Sequence, residues 1–115
     1  MRKLERQMNH AISNKSDWCG SNTQVNYNDS TNCSSIYLHG HRIATYDHNT
    51  QAVKLSSCGY ETVTTKSRLN AILQEVKSGC SVFQKNWNWF VRYNDQTASF
   101  WDGMILIDAD SLQIA

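Results

Sequence analysis

The chain has 115 residues, 40% of them hydrophobic and 18% charged, with a net charge of +1 at pH 7. That length suits a single domain, residues 1–115, with one modest core. A charge so close to zero excludes recognition of nucleic acid or a membrane surface by bulk electrostatics, so a charged partner has to be met by a local patch.

Residues 2–13 read as a short amphipathic N-terminal helix. Leu4, Met8, Ala11 and Ile12 form its apolar stripe, while Arg2, Lys3, Glu5 and Arg6 cover the other side. Asn14 and the polar residues after it stop the helix. Residues 16–34 are rich in turn formers, and only Thr23 to Tyr27 has strand character. In "SSIYLHGHRIATYD" two alternating runs flank Gly40, which predicts a β-hairpin. "HNTQ" is the next turn. "AVKLSS" is a further strand with Val53 and Leu55 inward, closed by Cys58-Gly59.

A second helix follows over 65–77. Leu69, Ile72, Leu73 and Val76 give its stripe, Thr64 or Thr65 its N-cap, and Gly79 its C-terminal stop. Two strands, 81–93 and 97–101, are joined by "NDQ", and "MILID" is a last strand or buried tail. Strands come in hairpins rather than alternating with helices. The predicted class is therefore α+β: an antiparallel sheet of about five strands, the 65–77 helix across one face, and the short terminal helix.

The stretch "FQKNWNWFVRY", Phe83 to Tyr93, carries the main functional signal. Taken as one strand, it puts Phe83, Lys85, Trp87, Trp89, Val91 and Tyr93 on one face and Phe90 and Arg92 on the other. The first face is expected to meet the helix stripe. With Phe100 and Trp101 adjacent on the next strand, some aromatic surface is left outside, as at interfaces. Trp87, Trp89, Arg92, Tyr93 and Trp101 are the candidate partner-binding residues. The alternative is a nucleic-acid platform, with rings stacking on bases and Lys85, Arg92, Lys54 and Arg42 holding phosphates. An anion site at the second helix's start, built from Thr64, Thr65, Lys66 and Arg68 with Lys85, belongs to that alternative.

Other chemistry is weakly signalled. His39 and His41, with His48 and Cys58, offer metal-ligand types but no metal-site spacing. The cysteines Cys19, Cys33, Cys58 and Cys80 are spread singly and read as free thiols. Neither a phosphate-binding glycine loop nor a nucleophile–base motif is present. Neither a cofactor nor a metal is expected, and the chain is read as a non-enzyme.

The order "NTQV … IYLHGHRIATYD … GYETVTTKSRLNAIL … VFQKNWNWFV … GM" over residues 22–104 resembles a group of short bacteriophage-encoded proteins of unknown function. The resemblance implies an accessory phage protein in the cytoplasm of the bacterial host, and it brings no catalytic residues with it. Small proteins of that kind act by binding, blockers of host defence systems among them. The expected partner is a host protein. Nucleic acid, a nucleotide and a second copy of the chain are the alternatives, and no membrane partner is expected, because no apolar run reaches the length of a span.

Overall fold

The computed structural model describes residues 1–93 and 95–107. In chain order the elements are α1 (Lys3–Ser13), β1 (Trp18–Gly20), β2 (Thr23–Asn28), β3 (Cys33–Leu38), β4 (His41–Asp47), β5 (Val53–Leu55) and α2 (Val63–Val76). They are followed by β6 (Cys80–Lys85), β7 (Asn88–Tyr93), β8 (Gln96–Ser99) and β9 (Met104–Leu106). The fold is α+β with two helices and antiparallel pairing throughout the described strands. The strands divide between two sheets instead of forming one. A six-stranded sheet runs β1-β2-β3-β4-β5-β9, and a three-stranded sheet runs β6-β7-β8.

Local sequence accounts for most of this. The predicted β3–β4 hairpin forms, with His39 and Gly40 at positive φ in its turn. A bulge between Ile36 and Tyr37 of β3 leaves an extra residue, Ile43, on β4, so Ile43 and its neighbour Ala44 are both buried. Simple alternation had separated those two residues, and the bulge is the reason it failed. β9 realises the "MILID" expectation over Met104–Leu106, where it pairs with β5 and buries Met104 and Leu106; Asp108 of that run lies outside the described residues.

The helix α2 starts at Val63, two residues ahead of the predicted start. Thr62, not Thr64 or Thr65, is its N-cap, and its Oγ1 accepts the Thr65 N–H at 3.1 Å. Leu69, Ile72 and Leu73 are fully buried. α2 packs against α1, β4 and β6, so it is the element that the two sheets share. The core gathers Met8 and Ile12 of α1, the inward residues of β2–β5, the α2 stripe, and Val82, Trp89, Val91 and Tyr93 of the smaller sheet.

Two charged residues expected outside are inside. Glu5 and Arg68 form an ion pair at 2.9 Å, each with under a tenth of its surface exposed. Arg68 also donates through Nε to Thr23 Oγ1 at 3.0 Å and through Nη2 to Asn22 Oδ1 at 3.3 Å. Ser67 Oγ donates to the same Glu5 oxygen at 2.6 Å. The pair therefore ties α1, α2 and the start of β2 together. Burial alone would raise the Glu5 pKa. The hydrogen bonds from Ser67, Arg68 and the Arg2 N–H, together with the Arg68 charge, outweigh it and hold the carboxyl below its ordinary value.

Candidate functional site

The stretch Phe83–Tyr93 is not one strand but the heart of a hairpin. Lys85 pairs with Asn88, leaving Asn86 and Trp87 as a two-residue turn. Their φ values are +53° and +67°. A two-residue hairpin turn of this hand needs positive φ at both central positions, and asparagine followed by glycine is the usual solution. Here tryptophan occupies the glycine position. Its indole is 90% exposed, the largest exposure among the described large hydrophobic side chains.

The turn reverses the face assignment that a single strand would have. Trp89, Val91 and Tyr93 on β7 and Val82 on β6 point to the core. Trp89 meets Phe100 edge-on, with centroids 5.5 Å apart, and its carbonyl accepts the Phe100 N–H. Phe83, Lys85, Phe90 and Arg92 share the outer face. There the Phe83 and Phe90 rings stack at 5.5 Å and 24°, and the Arg92 guanidinium lies 4.6 Å from the Phe83 centroid. With Lys85 and Thr97 these residues line a shallow cleft of about 340 Å³. The Arg92 side chain makes no hydrogen bond or ion pair among the described residues, and its guanidinium is seated on a ring.

The β6 edge of the same sheet is capped at one position. Asn70 on α2 sits beside β6, where its Oδ1 accepts the Val82 N–H at 2.6 Å and its Nδ2 donates to the Val82 carbonyl at 2.9 Å. One side-chain amide thus satisfies both backbone groups of Val82, which an added strand at this edge would otherwise use.

The sequence-predicted residues separate accordingly. Trp87 and Arg92 are on the exposed surface, and Trp101 is 47% exposed just past β8. Trp89 and Tyr93 are corrected to core residues, 4% and 7% exposed, because they stay with Val91 on the face of β7 that packs into the core. The anion cluster does not assemble. Thr65 is buried against the Thr62 cap, Arg68 is consumed by Glu5, Thr23 and Asn22, and Lys85 lies on the hairpin. Thr64 and Lys66 alone remain partly exposed at the helix start. Arg42 and Lys54 belong to the six-stranded sheet, where they border a separate depression with Asp102. Phe83 and Phe90 were missed as a surface pair. Asn86 and Asn88, polar residues tolerant of turns that flank Trp87, were the signal that could have revealed the reversal.

The histidines disperse. His48 Nε2 lies 2.8 Å from Ser34 Oγ, and its ring is edge-on to both Tyr27 and Tyr46. Burial, then the Lys15 charge, lower its pKa against the pull of Asp47. His41 leans on Tyr60, with centroids 4.9 Å apart. The Cys58 thiol donates to the Arg42 carbonyl at 3.1 Å rather than pairing with an imidazole. Among the described residues no three His, Cys, Asp or Glu side chains come together as a metal would require. No described helix is long and apolar enough to cross a membrane. The cysteines are free thiols, and burial pushes the Cys80 pKa up against the opposing Lys77 charge.

No curated protein and no solved structure matches the chain. A family model described as Kyanoviridae Gp96 protein matches residues 1–107. That match spans all of the described structure, including the hairpin and its exposed indole, and the chain belongs to this family of phage proteins.

Proposed function

We propose that this phage protein acts by binding a protein of the bacterial host, with the outer face and tip of the β6–β7 hairpin as its contact surface. A component of host defence is the class of target the phage context favours. The observation that carries the reading is Trp87. A bulky residue is held at positive φ, where it costs roughly 1–2 kcal/mol, and its side chain contributes almost nothing to the core. The same hairpin carries a stacked phenylalanine pair and Arg92; tryptophan and arginine dominate binding energy at protein interfaces, where phenylalanine is also enriched. Trp101 is a further contact candidate on the same grounds of type and exposure.

A protein partner accounts for this surface better than a nucleic-acid backbone does. Lys85 and Arg92 are the cations of the face, and the helix-start cluster that would have added phosphate contacts is dismantled by the Glu5–Arg68 pair. The test is affinity capture of tagged protein from host cells, run beside Trp87→Ala and Arg92→Ala. Loss of one captured protein in both variants, with unchanged circular dichroism, supports the reading. Capture that is indifferent to both substitutions refutes it. Capture that nuclease abolishes, with affinity falling steeply as salt rises, replaces it with nucleic-acid binding.

A further inference from the structure

Between the start of α2 and the six-stranded sheet lies a pocket that the hairpin surface does not use. Its volume is about 250 Å³. Leu38 and Ile43, 5% and 2% exposed, line it from the six-stranded sheet, and Thr65 lines it from α2. The hydroxyls around it are already engaged. Thr65 Oγ1 is 2.9 Å from Thr62 Oγ1, and Ser57 Oγ donates to Asp102 at 2.8 Å. The interior therefore presents methyl and methylene groups. The rim is different: His41 and Tyr60 form a tilted ring pair, and His39 stands beside them. Neither imidazole is hydrogen-bonded to another described residue.

The wall that carries Tyr60 is held in place from across the sheet. Asp102 accepts from the Ser57 N–H at 2.7 Å, the Ser57 hydroxyl, and the Gly59 N–H at 3.2 Å. The Tyr60 N–H then bonds the Ser57 carbonyl, and Gly59 takes φ +81° to make the bend. One carboxylate outside the pocket thus fixes the strand-to-helix turn that forms its lip.

From these features we infer that the pocket is a binding site for a small aromatic ring bearing one hydrogen-bonding substituent, with the ring between Leu38, Ile43 and Tyr60 and the substituent at His39 or His41. A dry apolar cavity of about 150 Å³ suffices for benzene, so the volume here takes one or two fused rings. The polar substituent is required because the free donors and acceptors stand only at the mouth. The ring comes either from a free small molecule or from an aromatic side chain of a bound polypeptide.

The test is amide-resolved NMR titration of the full chain with p-cresol, toluene, indole and N-acetyl-tyrosinamide. The expected result is saturable shifts at Leu38, Ile43, Thr62 and Thr65 with p-cresol, at a dissociation constant of about 1 mM or tighter for a ligand of so few heavy atoms. Toluene should bind more weakly. Tyr60 is 55% exposed, so Tyr60→Ala leaves the fold intact and should weaken p-cresol at least about tenfold, the cost of losing one wall and its ring contact. Of His39→Phe and His41→Phe, the one that removes the imidazole meeting the substituent should keep the affinity for toluene and erase the preference for p-cresol. N-acetyl-tyrosinamide binding as tightly as p-cresol assigns the site to a partner's side chain, and its exclusion assigns it to a free molecule. Absence of saturable shifts with every probe, shifts centred on Phe83 and Trp87 instead, or full affinity in Tyr60→Ala overturns the inference.

Discussion

Replacing Trp87 by glycine separates display from stability. The indole is 90% exposed, so burial contributes little: a fully buried large side chain is worth about 1.5–3 kcal/mol, and a tenth of that is a few tenths. Relief of the positive-φ strain returns about 1–2 kcal/mol. The added freedom of glycine in the unfolded chain takes back about 0.5–1 kcal/mol. The balance runs from no change to about 1 kcal/mol of added stability, or roughly 4 °C in Tm for a domain of this size. Urea unfolding followed by far-ultraviolet circular dichroism measures it without relying on the deleted fluorophore. The same variant should lose capture of the host protein. A loss of more than about 1 kcal/mol would mean that the indole packs within the fold, and would refute the claim that it is held out for a partner.

Other outcomes follow from the packing. Arg68→Ala leaves the Glu5 carboxylate buried without its partner and should cost about 3–5 kcal/mol in urea unfolding. Because the folded Glu5 pKa lies below the ordinary 4.5, its stabilising contribution is complete above pH 4.5 and is lost as pH falls through that value to the folded one. Glu5→Gln should flatten that part of a pH–stability curve. His48 gives a slope of the same sign at higher pH. Its folded pKa is below 6.5, so the unfolded chain takes the proton first, and stability drops as pH falls through 6.5 and levels below the folded value. His48→Phe should remove that step. Asn70→Ala frees the Val82 N–H and carbonyl on the β6 edge, at about 1–3 kcal/mol, and should promote concentration-dependent association visible by sedimentation.

Much of the fold was legible because its signals are local. The α2 stripe, the Gly40 hairpin and the alternation of Val53 and Leu55 each depend on neighbours within a few residues, and each was found near its observed place. What escaped depends on distant partners. Glu5 reads as a surface charge until Arg68, 63 positions away, is brought against it. The pairing of β9 with β5 and the division into two sheets are long-range choices that no window of sequence contains. β1, only three residues long, has too few positions to show a period.

The surface at the hairpin was half legible for a sharper reason. Its residue types announced an interface, but their faces depended on a two-residue turn whose second position is a tryptophan, where composition argues for a strand. Once the chain reverses there, the rings expected inside at Phe83 and Trp87 move out, and Trp89 and Tyr93 stay in. The hairpin could have turned with less strain on glycine. Instead the tip keeps a costly indole in solvent, and on the β6 edge Asn70 occupies both backbone groups of Val82 with its amide. Holding a side chain out at a cost in backbone strain, beside a backbone position already occupied, is the arrangement that the proposed recognition through side chains calls for.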